Sequence, residues 1–304
     1  MTDTNDAWPE LVVDSWQDTR DTVHMWTQIV GKVRMALAPP LNHWWGVTSY
    51  VDASGLTTSL MPYRGGGVEI RFDFLRHRLT IETTWGDARE MELRPRTVAD
   101  FHDEFFAHLE ALGVHVSIMG SPVEVDPSIP FAEDTVHASY DAEAMTRYWR
   151  SLVSAHRVFS AFRGGFRGKS SPSHFFWGAF DLAVTRFSGR PAAQHPGGVP
   201  NCPDWVMHEA YNEEVSSAGY WPGGASEGIF YSYAYPQPDG FDTAVVEPAQ
   251  AYFDRDLGEF VLPYSAVREA EDGDALLREF LESTARIAAD LAEWPDGQGR
   301  IEST

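Results

Sequence analysis

The order of the predicted elements, a long helix followed by strands and a second helix, occurs twice along the chain, and this repetition limits the fold most. Apolar side chains recur at steps of three and four residues over 18–37 and over 141–162, which predicts two long amphipathic helices. Each helix leads into a proline, an aromatic strand and a glycine, PLNHWWG at 40–46 and PSHFFWG at 172–178. The helices share the same four-residue steps, through Trp26, Val30 and Arg34 and through Trp149, Val153 and Arg157. We therefore expect an internal duplication.

The segments after the helices alternate between apolar and polar residues, as half-buried strands do. RFDFLRHRLTI (71–81) alternates in this way and matches YFDRDLGEFVL (252–262) without a gap. Short turns between alternating strands favour antiparallel pairing. The sequence thus predicts an α+β fold of two diverged repeats, each an antiparallel sheet with a long helix packed on one face.

The predicted boundaries follow from the order of these elements. We assign 1–120 to the first helix–strands–helix repeat and 141–294 to the second repeat, which carries insertions. Between them, 121–140 is predicted to be a linker, because its first ten residues hold three prolines and two acids. Residues 295–304 are assigned to a tail.

The net charge of the chain limits the classes of molecule that it can bind. A formal net charge of −22 repels phosphate backbones and anionic membrane surfaces, so we expect no binding to nucleic acid or membranes. No run of eighteen apolar residues is present, and the N-terminus MTDTNDAWPE lacks the apolar stretch of a signal peptide. The single cysteine, Cys202, excludes an internal disulfide and a thiolate metal cluster. We expect a cytoplasmic protein.

Four long strings of the sequence carry a family resemblance. HMWTQIVGKVR, ALAPPLNHWWGV, HFFWGAFDLAVTRFSGR and GYWPGG resemble an uncharacterised bacterial family of domains of unknown function. The resemblance runs from about Trp8 to Trp294. It implies one architecture for the whole chain and carries no activity, cofactor or catalytic residue with it.

Two histidines, His43 and His174, lie in the paired aromatic segments, where partial desolvation can tune a pKa for proton transfer or metal ligation. We take His174, Glu214 and Asp181 as candidate catalytic residues, with Asp181 as an orienting carboxylate. His174 and Asp181 are seven residues apart, so on one flat strand they would face opposite ways. The alternative is a histidine hydrogen-bonded within a core layer. Whether His43 and His174 share one site stays open.

HEAYNEE (208–214) is the densest cluster of potential metal ligands. If it is helical, Glu209 and Glu213 lie one turn apart on one face, and oxygen and imidazole ligands of this kind suit iron, manganese or zinc. If it is extended, alternate side chains diverge, and an acidic solvated face is the alternative explanation. The candidate metal ligands are His174, His208, Glu209 and Glu213.

FRGGFRGKSS (162–171) is the one basic, glycine-rich stretch. Cations beside free backbone amides can hold a phosphate or carboxylate. The alternative is an ordinary helix C-terminus, where cations and glycine are frequent. Arg186 adds a cation, although a salt bridge with Asp181 would also explain it. The candidate substrate-binding residues are Arg167, Lys169, Arg186, Trp177 and Trp221.

One polar row runs along the first long helix. His24, Gln28 and Lys32 follow one another at steps of four, so they share a helix face beside the apolar stripe. This row can line a pocket between the helix and a sheet. It can equally be the polar flank of an amphipathic helix.

Three functional hypotheses follow. The first is an enzyme acting on a small polar or anionic molecule, with its site in the second repeat and metal-assisted chemistry as one form. The second is a non-catalytic small-molecule binding protein, whose cavity would be lined by Trp44, Trp45, Phe175, Phe176, Trp177, Tyr220 and Trp221. The third is an oligomeric scaffold that uses exposed aromatic runs as an interface.

Overall fold

The computed structural model describes residues 7–295. The first half begins with helix α1, Val13–Leu37, and closes with helix α2, Val98–Ala111. The Thr97 hydroxyl caps α2 by accepting a hydrogen bond from the backbone N–H of Asp100 at 3.0 Å. Six strands lie between the helices: β1 Tyr50–Val51, β2 Gly55–Thr57, β3 Met61–Tyr63, β4 Gly66–Asp73, β5 Arg78–Thr83 and β6 Ala88–Glu92.

The second half again begins with a long helix, α3, Ala142–Gly164. The Asp141 carboxylate caps it by accepting from the backbone N–H of Ala144 at 2.9 Å. The elements after it are β7 His174–Phe176, β8 Asp181–Pro191, α4 Asp204–Ala210, β9 Glu213–Trp221, β10 Ile229–Tyr235, β11 Tyr252–Asp254, β12 Glu259–Pro263, α5 Tyr264–Glu269 and α6 Gly273–Leu291.

Each half contributes one antiparallel six-stranded sheet. The first has the order β1-β2-β4-β5-β6, with β3 also paired to β4, and the second has the order β11-β12-β10-β9-β8-β7. Helices α1 and α2 pack on the first sheet, and α3 and α6 pack on the second. The predicted α+β class with antiparallel sheets is therefore confirmed. Within residues 7–295, no helix has the length and apolar character that crossing a membrane requires.

One hydrophobic cluster extends through both halves, from Trp8 to Ala288. The Trp26 ring of α1 stacks on the Phe101 ring of α2 with 4.7 Å between centroids. The two sheets also meet at their edges, because Ser49 and Phe175 exchange two backbone hydrogen bonds of 3.0 and 2.8 Å. The chain just before β1 thus lies beside the second sheet, which brings first-half aromatic residues to it.

The two matched hairpins have the same geometry. Phe72 lies opposite Leu79 in β4–β5, and Phe253 lies opposite Phe260 in β11–β12. In both turns the aspartate after the phenylalanine accepts backbone N–H bonds from the residues two and three positions later. The duplication and the division at 121–140 stay predictions. Residues 296–304 of the predicted tail lie outside the described residues.

The two aromatic segments differ in conformation. PSHFFWG forms β7 as predicted, but PLNHWWG does not form a strand. Its residues Asn42–Trp44 make a short 3₁₀ turn, with φ of 53° at His43 and 60° at Trp44. Left-handed backbone cannot continue an extended strand, so no strand forms here. Helix α4 holds the turn, because its Glu209 carboxylate accepts a hydrogen bond from the His43 backbone N–H at 3.1 Å.

Candidate functional site

A cavity of about 760 Å³ lies on the face of the second sheet that α3 and α6 do not cover. Strand alternation decides which side chains reach it. In β8, Asp181, Ala183 and Thr185 line the cavity, whereas Leu182 and Val184 pack into the core beneath the helices. The floor of the cavity is therefore one face of β8, β9, β10 and β12.

The cavity is closed by α1 on one side and by a roof made of residues 42–47, 119–126 and 202–211. The Trp44 indole N–H donates to the carbonyl of Val206 at 2.8 Å, which joins two parts of the roof. The Gln28 side chain of α1 holds the third part, because its amide nitrogen donates to the Val123 carbonyl and its oxygen accepts from the Val123 N–H. These bonds fix the roof over the sheet.

In the polar row of α1, Gln28 and Lys32 are buried and His24 is half-buried; His24 and Lys32 line the cavity, which confirms the pocket alternative for these two. The His24 Nε2–H donates to the carbonyl of Gly178 at 2.8 Å and so fixes the turn that precedes Asp181. Burial lowers the pKa of His24 to about 4, so this histidine is neutral at pH 7. Gln28 serves the roof instead of facing the cavity.

The tyrosine–carboxyl cluster is defined as Asp181, Tyr231, Tyr233 and Glu259 of the floor together with Tyr211 of the roof. The Tyr231 hydroxyl donates to the Asp181 carboxylate, and the hydroxyls of Tyr211 and Tyr233 are 2.8 Å apart. Desolvation raises the pKa of Asp181 from 3.8 to about 7. The hydrogen bond from Tyr231 acts in the opposite direction, but its effect on the pKa is smaller. Desolvation, with the nearby Asp181 charge, also raises the pKa of Glu259 to about 7. Both carboxyls can thus exchange protons near neutrality.

Gly219 permits the bond between Tyr231 and Asp181. It lies on β9, between Ala183 of β8 and Tyr231 of β10. A Cβ on Gly219 would overlap with the phenol carbon and oxygen of Tyr231. The absence of a side chain therefore lets the phenol cross the central strand and reach the carboxylate.

We expect Tyr231→Phe to raise the pKa of Asp181 further, by roughly one pH unit, because a hydrogen bond to a charged group contributes about 1.5 kcal/mol. Carboxyl ¹³C NMR titration measures this pKa directly. Gly219→Ala should act in the same direction, since it displaces the same phenol. Tyr235→Phe is the control, because that hydroxyl donates to the carbonyl of Ala193. An unchanged Asp181 pKa in Tyr231→Phe would contradict the assignment.

A second polar group lies at the edge of the cavity. The Lys169 ammonium donates to His43 Nε2 at 2.7 Å and to Glu213 at 2.5 Å, and His43 Nδ1–H donates to the Ala210 carbonyl. Desolvation and the Lys169 charge lower the pKa of His43. Lys169 thus has two partners within the protein and does not line the cavity, and its role in substrate binding stays a prediction.

The structure places His174 outside the cavity. Its ring is 1% exposed and lies among the rings of Trp45, Tyr50 and Phe176 at centroid distances of 5.9, 5.4 and 5.8 Å. Burial, with the charges of Arg34 and Arg163, lowers its pKa to about 3. Trp45 also contacts His43, so the two histidines flank one indole without sharing a site. The carboxylate of Glu214 accepts from Ser188 and Arg190 and is likewise absent from the cavity lining.

The four predicted metal ligands do not come together: Glu209 and Glu213 both lie beside His43, whereas His174 and His208 lie elsewhere. HEAYNEE is part helix and part strand, because α4 ends at Ala210 and β9 begins at Glu213. Glu209 accepts from His43, Glu213 pairs with Lys169, and His208 contacts Gln194. Over residues 7–295, no group of three or more His, Cys, Asp or Glu side chains is placed to hold a metal ion.

The predicted salt bridge between Asp181 and Arg186 is wrong. The two residues are five apart on β8, so they lie on opposite faces of the sheet. Arg186 pairs with Glu282 at 3.1 Å and covers the ring of Phe162 at 3.5 Å. It therefore joins sheet to helix and does not reach the cavity, while Arg167 is exposed outside it.

Among the aromatic residues predicted to line a cavity, those on the roof and on one strand face do so: Trp44, Trp45, Phe176, Trp177 and Trp221. Phe175 and Tyr220 point the other way, as strand alternation requires. Sequence reasoning missed Glu124, Tyr211, Tyr231, Tyr233 and Glu259. The signal for two of them is the pattern YSYAY at 231–235, in which tyrosines alternate with small residues.

Fold and cavity together define an α+β protein of two antiparallel sheets with one large aromatic and acidic pocket. The chain belongs to a family of unknown function, DUF5996, whose model matches residues 8–300. The resemblance to a family of unknown function is thus confirmed. No match was found among curated proteins or among solved structures.

Proposed function

We propose that the protein binds a small organic amine, carrying an apolar or aromatic body, in the cavity on the second sheet. The observation that carries this proposal is a pair of carboxyls, Asp181 and Glu259, without an ion-pair partner among the described residues. A buried carboxylate without a countercharge is costly. A ligand ammonium supplies that charge, and it releases the free energy held in the raised pKa values.

The remaining lining supports a cation over an anion. Besides the cluster, the cavity wall carries the acids Asp21, Glu124 and Asp126, against the cations Arg20 and Lys32. Arg20 is paired with Asp21 at 2.9 Å. The faces of tyrosine and tryptophan rings attract cations as well, which adds about 0.5–2 kcal/mol in desolvated sites. The anionic substrate expected from Arg167, Lys169 and Arg186 loses its support, because none of these three side chains lines the cavity.

A second candidate function is acid–base catalysis on the same ligand. Asp181 is oriented by Tyr231 and has a pKa of about 7, which is where a general acid or base works best at neutral pH. In this form of the proposal, Asp181 takes the catalytic role that the sequence suggested for His174. Turnover of a bound amine, measured as product formation that Asp181→Asn abolishes, separates the enzyme from the binding protein.

Calorimetric titration with three ligands of one shape tests the binding proposal. We expect phenethylamine to bind at pH 8, phenethyl alcohol to bind at least tenfold more weakly, and phenylacetate not to bind. Asp181→Asn and Glu259→Gln should each weaken amine binding tenfold or more, since 1.4 kcal/mol corresponds to tenfold. Glu90→Gln, which alters an exposed carboxylate paired with Arg78, is the control. Tighter binding of the anion would overturn the proposal.

A further inference from the structure

The chain contains two lysines, Lys32 and Lys169, among its 23 lysine and arginine residues. Both lie at the cavity: Lys32 lines it, and Lys169 contacts the lining residue His43. Lys169 is paired with His43 and Glu213. Lys32 differs, because its Nζ is buried and has no hydrogen-bond partner among residues 7–295.

Lys32 is 1% exposed and projects from α1 between aromatic rings. Its Nζ is 5.6 Å from the centroid of Trp177 and 6.0 Å from that of Phe131. A purely structural lysine at such a depth would be paired, since an unpaired buried ammonium is costly. An amine held unpaired in an apolar wall is instead the arrangement of nucleophilic lysines.

Glu124 supplies an acid on the same wall. Its backbone has φ of 59°, and its N–H donates to the Pro200 carbonyl at 3.0 Å, while Gln28 holds the preceding residue. The carboxyl lines the cavity and interacts with the Lys32 charge. Desolvation raises the pKa of Glu124, which favours its protonated form.

We propose that Lys32 is a covalent nucleophile that condenses with an aldehyde or ketone bound in the cavity, with Glu124 as the proton donor. The amine nitrogen bonds to the carbonyl carbon, and the carbonyl π electrons move to oxygen, which takes one of the two protons of the attacking nitrogen. The resulting hydroxyl leaves as water with a proton from Glu124, and the nitrogen gives up a proton to the Glu124 carboxylate. The products are an imine and one water, so no oxidant or reductant is consumed.

The protonation states fit this step. Burial lowers the pKa of Lys32 to about 8, so a substantial share of its amine is neutral near pH 7.5. The proposal goes beyond amine binding at Asp181 and Glu259 and involves different residues. It stands or falls separately from that function.

Reductive trapping of the full-length protein tests it, with benzaldehyde as the carbonyl probe and cyanoborohydride to fix the imine. Peptide mass spectrometry then compares benzylation at Lys32 and Lys169 at pH 7.5. The side chain of Lys169 is 31% exposed, so reactivity set by solvent access would favour Lys169. We expect the reverse order, with Lys32 labelled at least tenfold more.

Two variants test the roles of Lys169 and Glu124 in the labelling of Lys32. Lys169→Arg should leave labelling of Lys32 unchanged, and Glu124→Gln should slow it about tenfold without lowering the melting temperature. The ratio of the two lysines is measured in the natural chain, so the test does not depend on a Lys32 variant that folds. Labelling of Lys32 at or below that of Lys169 in the folded protein would overturn the proposal, whatever the amine titrations show.

Discussion

At pH 8 the Asp181→Asn variant should be more stable to unfolding than the natural chain, and this advantage should shrink as the pH falls to 5. The pKa of Asp181 is raised from 3.8 to about 7 in the folded protein, so the folded state holds its proton more tightly than the unfolded state. Such a group stabilises the fold below pH 4, and this contribution is lost as the pH rises through 7. Between pH 5 and pH 7 the loss amounts to about 2 kcal/mol.

Urea unfolding at pH 5, 6, 7 and 8 measures this difference for both proteins. Asparagine retains an oxygen that can accept from Tyr231, so the substitution removes the charge and little else. Glu90→Gln is the control, because that carboxylate is exposed, pairs with Arg78 and lies on the first sheet. An equal pH dependence in Asp181→Asn and the natural chain would show that Asp181 titrates as an ordinary surface carboxylate.

Gly31→Ala should destabilise the protein by about 2 kcal/mol, although alanine in a helix is ordinarily favoured over glycine by about 1 kcal/mol. A Cβ at Gly31 would overlap with the indole of Trp177, which packs directly on α1. This indole is 6% exposed and donates to the Val47 carbonyl at 2.8 Å, so it can make room for the new methyl group only by shifting toward the cavity and losing that hydrogen bond. Overpacking and loss of that hydrogen bond together outweigh the gain in helix propensity.

Gly164→Ala provides the comparison for Gly31→Ala. Gly164 ends α3, and a Cβ there would meet no atom within 4 Å. We expect it to leave the midpoint of urea unfolding unchanged or to raise it slightly, because only helix propensity acts there. If both alanine variants shifted the midpoint equally, the close packing of Trp177 against α1 would not be the cause. Because Trp177 also lines the cavity, Gly31→Ala should weaken ligand binding too.

The helices and strands of this fold could be predicted from the sequence more accurately than the contacts that their side chains make. Local periodicity is sufficient for α1, α3 and the β4–β5 hairpin, since helix and strand repeats are visible within a few residues. It also selected Asp181, Trp177 and Trp221, which line the cavity. Alternation shows that a strand has two faces, but it does not say which face the helices cover.

The errors arise where the answer depends on distant parts of the chain. Glu259 and Tyr231 meet Asp181 only because β12, β10, β9 and β8 are neighbours in the second sheet. The sequence pattern treats HEAYNEE as one element, either helix or strand, whereas the chain changes from helix to strand inside it. The aromatic sequence neighbours of His174 suggested a tuned, reactive histidine, but Trp45 and Tyr50 from the first half enclose it together with Phe176.

The walls of the cavity come from chain positions as far apart as Arg20 and Glu259. During synthesis from the N-terminus, α1 and the tryptophans of the roof are made long before the strand that carries Glu259. The pocket cannot exist in any nascent chain shorter than about that strand, whereas the β4–β5 hairpin and its helices can already form. A bound ligand would therefore favour only the completed sheet, and its binding would report that the last strands have joined.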